Sequence, residues 1–399
     1  MKKIISGVLV LALLLCCTAC GKTKPEPTDV QVDTQVDTPV DMPDRAAESA
    51  ADFSLELACN MLQEGSNGMV SPLSAMFALT MAADGAQGDT LKEMEDALKM
   101  PIDELNQVMV RYRSDDVLQI ANSIWLNKEF DMGLSEEYAD TIEKYAHAEL
   151  FEEIFDDKAC AKLNDWCSEH TKGMIPKMLK EFHREWRSLL VNAICFDADW
   201  EEPYKEHQIR EDIFYGTKGE EQVEFMQSIL DGYISDDHMT GFCKDYNGGR
   251  YYFAAMLPET GMSPEEYLRT ADAGALMKLV ENAGGDVYAI LPKFEMSGEY
   301  ELIDALKAMG VKKAFDPGAD FTKMTDREAE LYITDVLQKT YIKVDETGTE
   351  ASAVTVVIED ENCMEMEPMP EVILDRPFAY MIFDRETEMP LFIGVMNNG

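Results

Sequence analysis

What constrains this chain first is the order in which two kinds of apolar spacing occur along it. Early in the sequence Phe53, Leu57 and Met61 recur every four residues and share one helical face. Ser71-Pro72 then reads as a helix start, with Ser as N-cap and Pro in the first turn. Thr90-Leu91-Lys92-Glu93 reads as a capping box, and Asp103–Tyr112 and Glu136–Ala148 read as helices. Val117–Leu126 and Leu189–Phe196 are runs of β-branched and aromatic residues, as are Tyr251–Leu257, Val287–Leu291 and Tyr341–Val344. Phe378–Phe383 and Leu391–Val395 read as a closing hairpin. Helices gather early, strands gather late, and few βαβ alternations intervene. That order predicts an α+β fold with antiparallel or mixed sheets.

The first residues read as an address rather than as structure. Lys2 and Lys3 precede the apolar stretch Ile4–Leu15, which is too short to span a bilayer as a mature helix. It ends in Cys17-Thr18-Ala19-Cys20, which looks like a bacterial lipoprotein signal over residues 1–19, with cleavage freeing Cys20 for acylation. The plainer alternative is an ordinary secretory signal. Several acyl chains on one cysteine would anchor the protein firmly. Residues 20–48 read as a tether: Pro-rich, repetitive in Val-Asp-Thr, and too poor in apolar surface to fold. No further linker follows, so residues 49–399 read as one domain, displayed at the outer face of a bacterial membrane and extracellular if released.

The formal charge of −42 argues against nucleic acid, which needs a basic stripe, and against heparin-like polyanions. It reads as a solvating shell that also favours basic partners. Six cysteines fall in the domain: Cys59, Cys160, Cys167, Cys195, Cys243 and Cys363. Export permits disulfides, but Cys160 and Cys167 would lie about 10 Å apart along a helix axis, too far to bridge. The histidines show no metal-ligand spacing, and no metal or cofactor is expected. No Gly-x-Ser-x-Gly elbow, His-Glu-x-x-His pair or phosphate-binding glycine loop is present, so the chain does not read as an enzyme.

The specific signal is a succession of short motifs. Asn67-Gly68-Met69-Val70-Ser71-Pro72-Leu73-Ser74 leads into Gly85-Ala86-Gln87-Gly88-Asp89-Thr90. Ala121-Asn122-Ser123-Ile124-Trp125-Leu126 and Leu190-Val191-Asn192-Ala193-Ile194-Cys195-Phe196 follow, then Trp200. Leu291-Pro292-Lys293-Phe294 comes next, then Met309-Gly310-Val311. The series ends with Asp345-Glu346-Thr347-Gly348-Thr349-Glu350-Ala351-Ser352-Ala353, Arg376-Pro377-Phe378 and Pro390-Leu391-Phe392-Ile393-Gly394. In sequence and in order these resemble the serpin family, over roughly residues 50–399.

The resemblance implies three β-sheets, eight to nine helices and an exposed reactive-centre loop, here residues 346–376. It implies a suicide substrate: a serine protease cuts the loop, is held as a covalent acyl-enzyme, and the loop inserts as a new strand in the large sheet. Loop insertion in serpins is a worked example of strand addition and of released strain in general accounts of recognition. Cysteine proteases are a secondary target class, and the protein is expected to be a monomer. A non-inhibitory binding protein on the same fold is the alternative.

The loop's own residues suit insertion. Its hinge is Glu346, Thr347, Gly348, Thr349, Glu350, Ala351, Ser352, Ala353 and Val354, with Gly348 read as a flexible joint. Alternate residues Thr349, Ala351, Ala353, Thr355 and Val357 are small or β-branched and uncharged, fit to be buried beneath a sheet. Counting forward from Glu346 puts the scissile bond at Asn362-Cys363; counting back from Pro377 puts it at Met366-Glu367. The forward count is preferred because insertion fixes that length. Cys363, Met364 and Met366 suit a medium apolar pocket of the elastase-like or subtilisin-like kind, and no Lys or Arg lies between Glu346 and Asp375 to attract a trypsin-like enzyme. The family's sheet-opening cluster maps onto Ser71, Ser74 and Asn192, with Gln338 where many members carry His, and its sheet-top tryptophan maps onto Trp200. Ser71 serves equally well as a plain helix cap.

Overall fold

The computed structural model describes residues 43, 45–112, 117–131, 133–325, 330–348 and 369–399. Nine α-helices run in chain order among them. They are α1 (Ala46–Met61), α2 (Pro72–Asp84), α3 (Gly88–Leu98), α4 (Ile102–Val110), α5 (Glu136–Ala146), α6 (Asp157–His170), α7 (Pro264–Thr270), α8 (Ala273–Glu281) and α9 (Ile303–Ala308). The strands of the first two-thirds are β1 (Gly68–Val70), β2 (Leu118–Asn127), β3 (Glu149–Glu153), β4 (Ser188–Phe196), β5 (Ile209–Gly216), β6 (Gly219–Asp231), β7 (Tyr233–Ser235), β8 (Met239–Asp245) and β9 (Tyr251–Pro258). The remainder are β10 (Asp286–Pro292), β11 (Phe294–Glu301), β12 (Asp335–Val344), β13 (Glu371–Ile373), β14 (Phe378–Asp384) and β15 (Met389–Met396).

Local chemistry explains most element ends. Ser71, extended, accepts the Ser74 amide on its side chain while Pro72 occupies the first helical position. Every residue of α2 from Pro72 to Ala83 is buried, as expected of a helix apolar all round and placed inside the fold. The capping box expected at Thr90–Glu93 is not a helix start: α3 begins three residues earlier, at Gly88 after Gln87. Thr90 and Glu93 instead tie the helix to distant chain, Thr90 Oγ1 accepting the Asp320 amide and Glu93 accepting those of Lys312 and Lys313. The strand expected at Tyr341–Val344 begins at Asp335, because Gln338 and its polar neighbours interrupt the apolar run without interrupting the ladder.

The strands form three sheets. A six-stranded sheet, β1-β15-β14-β9-β8-β7, is antiparallel throughout and contains the C-terminal hairpin. A four-stranded sheet has the order β13-β10-β6-β5, and a five-stranded sheet the order β11-β12-β4-β2-β3. The largest buried cluster gathers residues from α1–α5 and from strands of all three sheets. A second cluster lies beneath α1, α7 and α8, and a third holds α6 against β2 and β4.

Candidate functional site

In the five-stranded sheet β11–β12 and β2–β4 pair antiparallel, but β12 and β4 pair parallel, Asp335 to Tyr341 facing Leu189 to Cys195. Parallel pairing is the weaker per residue. β12 runs through Asp345 straight into Glu346–Gly348, the first three hinge residues expected from the sequence. The hinge residues Thr349, Glu350, Ala351, Ser352, Ala353 and Val354, the cleavage candidates Asn362, Cys363, Met364, Met366 and Glu367, and the acylation candidate Cys20 lie outside the described residues.

Across the middle of this seam the register aligns three polar side chains, Gln338 of β12 opposite Asn192 of β4, and Asn192 opposite Asn122 of β2. They meet the start of α2. Gln338 Nε2 donates to Ser74 Oγ at 3.0 Å and to the Ser71 carbonyl at 2.8 Å, and its Oε1 accepts the Ser71 amide at 3.0 Å. Ser74 Oγ donates to Asn192 Oδ1, and Asn192 Nδ2 donates to Asn122 Oδ1. Asn122 Nδ2 ends the chain on the Ala146 carbonyl at 3.1 Å, while Ser71 Oγ donates to the Leu391 carbonyl at 2.7 Å. All five side chains are buried. A buried polar group without a partner is costly, so completeness is what lets this row exist inside a core. Ser71, Ser74, Asn192 and Gln338 therefore lie together, and Ser71 is a helix cap as well as a member of the row. Asn122 completes the row and was missed; the signal was an amide inside the apolar run Ala121–Leu126.

The segment Asp345–Gly348 is fastened at the top of the seam. Trp200, 1% exposed, stacks on Tyr246 with ring centres 4.3 Å apart and donates its Nε1 to the Asp345 carbonyl at 2.9 Å. Its backbone amide reaches the Thr347 carbonyl at 2.9 Å, and that of Tyr204 reaches the Glu346 carbonyl at 2.7 Å. Glu346 pairs with Lys293 at 2.7 Å, and the ammonium holds its carboxyl below the usual range. Lys244, 5% exposed, lies 4.6 Å from the Tyr204 ring centre and 5.3 Å from that of Trp200. Burial lowers its ammonium to about 8. Gly348 is not a loose joint here. It bridges to Asp199 at φ +133°, and a Cβ would come 2.4 Å from the Ala198 carbonyl oxygen, so the glycine permits a close backbone contact. Tyr204 escaped the sequence reading because nothing local marks it, and Lys293 was read only as part of the Leu291–Phe294 motif, without its partner Glu346.

Among the described residues no three His, Cys, Asp or Glu side chains gather as a metal site. Cys59, Cys160, Cys167, Cys195 and Cys243 are free thiols, and burial pushes Cys167 and Cys195 up to about 12.

Three sheets and nine helices among the described residues make up the serpin fold. The sequence model described as "Serpin (serine protease inhibitor)" matches residues 48–399, and the chain belongs to that family. An uncharacterized serpin-like protein of Thermococcus kodakarensis is 30% identical over 362 residues, 87% of this chain and 84% of that one. Alpha-1-antitrypsin 1-2 of Mus musculus is 26% identical over 365 residues, 86% of each chain. The solved thermophilic serpin tengpin in its native state superposes with a TM-score of 0.84 at 37% identity, covering 90% of this chain and 96% of that one. Its latent state gives 0.78 at 34% identity, covering 90% and 99%. Serpins are in general protease inhibitors rather than enzymes, and their partners are in general target proteases.

Proposed function

We propose that this chain is an inhibitory serpin that traps serine proteases of the elastase-like or subtilisin-like kind, cysteine proteases being secondary targets. The observation that carries the reading is the parallel β12–β4 seam with the loop following directly on β12. A segment that turns back after β12 runs antiparallel to β12, and antiparallel also to β4. One weaker parallel pairing is thereby exchanged for two antiparallel ones. The same strand order with the seam closed is the uninserted arrangement, held against the more stable one by a kinetic barrier. About fifteen inserted residues at roughly 3.3 Å each would carry an attached protease some 50 Å. Displacement of catalytic groups by about 1 Å already slows catalysis steeply, so the acyl-enzyme would persist.

The rest of the assignment rests on sequence. Cleavage at Asn362-Cys363, with Met366-Glu367 the alternative, leaves Cys363, Met364 and Met366 for an apolar pocket. Acylated Cys20 and the 20–48 tether would hold a monomeric inhibitor at the outer face of a bacterial membrane. Incubation with pancreatic elastase or subtilisin tests the reading. A covalent complex surviving boiling in detergent is expected, together with a large rise in unfolding temperature of the loop-cleaved protein. Simple digestion with neither outcome would assign the chain to the non-inhibitory alternative. Acyl incorporation that is lost in Cys20→Ser tests the anchor.

A further inference from the structure

Where the chain leaves β15, three separate segments clasp it. From the link between α1 and β1, Asn67 Oδ1 accepts the amides of Asn397 and Asn398 at 2.7 and 2.9 Å. From the β5–β6 turn, the Lys218 amide and the Thr217 hydroxyl donate to Asn398 Oδ1 at 2.9 and 3.1 Å. Asn397 Nδ2 donates to the Ser66 carbonyl at 2.9 Å and to Oε1 of Glu265, the second residue of α7, at 2.7 Å. Because Nδ2 serves two acceptors that cannot themselves donate, the orientation of this amide is fixed and its other end is an oxygen.

Glu265 and Asn397 are 3% and 1% exposed. Among the described residues nothing donates to Glu265 Oε2 or to Asn397 Oδ1, and no cationic side chain pairs with Glu265. The first turn of α7 does not help: the Glu266 amide goes to Ser263 Oγ and the Tyr267 amide to the Ser263 carbonyl. Two adjoining groups, one of them a carboxylate, thus each carry a buried oxygen with no partner. Such oxygens are costly unless something positive meets them.

We propose that Glu265 Oε2 and Asn397 Oδ1 hold a monovalent metal cation, Na⁺ or K⁺. One carboxylate balances one positive charge. Hard divalent ions recruit several carboxylates or keep a shell of water, and among the described residues no three acidic, histidine or cysteine side chains gather to hold a metal. The donors are all hard oxygens, which disfavours soft transition metals. The Ser66 carbonyl, bonded to the same amide, offers a further oxygen. The ion joins α7 to the segment after β15, so binding stabilises the folded chain by mass action. This site stands apart from the loop and its seam and does not depend on the inhibitory reading.

Thermal unfolding of the whole protein at constant ionic strength tests the site. The diffuse cloud drawn by a charge of −42 forms with any monovalent cation, whereas tetramethylammonium is too bulky to sit among buried oxygens. Exchanging about 0.15 M tetramethylammonium chloride for NaCl or KCl should raise the unfolding midpoint by about 2 °C or more. Glu265→Gln keeps the side chain's shape, removes the charge and should abolish that difference. Equal salt responses in parent and Glu265→Gln would overturn the site and leave a buried water as its occupant. A larger rise with about 1 mM CaCl₂, lost in Glu265→Gln, would overturn the monovalent assignment. Sodium NMR linewidths of the parent give a second measure that needs no variant. In excess tetramethylammonium chloride a saturable broadening displaced by K⁺ is expected, and a strictly linear dependence on Na⁺ would also overturn the site.

Discussion

Replacing Gln338 with Leu probes the polar row at its most connected member. The substitution keeps the volume roughly constant and removes three hydrogen bonds, two to the Ser71 backbone and one to Ser74 Oγ. Their fates differ. The Ser71 carbonyl still accepts the Ala75 amide, and Ser74 Oγ still donates to Asn192. Only the Ser71 amide, on a fully buried residue, is left with nothing to bind. Stranding that donor costs about 1–3 kcal/mol, and losing the other two bonds about 1 kcal/mol each. Extra apolar burial by Leu returns about 1–2 kcal/mol. The net loss is about 2–3 kcal/mol, or about 3–4 °C in the first thermal transition. Scanning fluorimetry at pH 7.5 with urea titration as a check measures it. Gln338→Glu gives the complementary sign: a carboxylate can accept the Ser71 amide but cannot donate to Ser74, whereas the acid can do both. Burial raises its pKa, so the Glu variant should recover stability as pH falls. A Leu variant melting within about 1 °C of the parent would refute the claim that the row stabilises the closed seam.

Three further outcomes follow from the geometry. Gly348→Ala drives a Cβ to 2.4 Å from the Ala198 carbonyl oxygen, so the hinge should lift; amide exchange at Trp200 and Tyr204, which donate to it, should accelerate about tenfold or more, and unchanged exchange would contradict the fastening described. Asp335 has a folded pKa of about 6 against 3.8, so the neutral acid's contribution to stability is complete below about 4 and is lost as pH rises through 6. Asp335→Asn should therefore be more stable than the parent by about 1–3 kcal/mol at pH 7.5 and indistinguishable from it at pH 4, which urea titration at both pH values checks. A maleimide at pH 7.5, followed by peptide mass mapping, should label half-buried Cys59 well before Cys167 or Cys195, whose thiols burial holds near 12.

The elements legible in the sequence were those where one physical signal dominated. The start of α2 was readable because Ser71-Pro72 carries its own cap, and β4 because all nine of its residues are buried and eight of them outside Ser188 form a largely apolar run. The β5–β6 hairpin was not readable. Its strands are rich in charge, and Glu211 sits directly opposite Glu224, a pairing that local preference disfavours and that Lys293, in contact with Glu224, offsets from the link between β10 and β11. Thr90–Glu93 misled because a cap signature was used for long-range ties. At the site, motif order located Ser71, Ser74, Asn192, Gln338 and Trp200, but the partners that fix their geometry, Asn122, Tyr204 and Lys293, are joined to them only by folding. Gly348 was legible as a glycine position but for another reason: the need is close approach to Ala198–Trp200, which no local pattern encodes.

The polar row also explains how the sheet holds one register along the line where the proposed insertion would part it. Were β12 to slip along β4 by one residue, Gln338 would turn to the opposite face of the sheet and lose Ser71 and Ser74 together. A slip of two would keep the face but set it against Leu190 or Ile194 in place of Asn192. An apolar seam of equal volume would tolerate such slips with little change in contact area, whereas the hydrogen-bonded row accepts a single register. The bonds that enforce this register run from side chain to side chain and down to α2, not along the β12–β4 ladder. Loss of the row therefore loosens the seam as a unit while β11–β12 and β2–β4 keep their antiparallel ladders. A strand entering between β4 and β12, as the proposed inhibition requires, would find an antiparallel partner on each side of one released line.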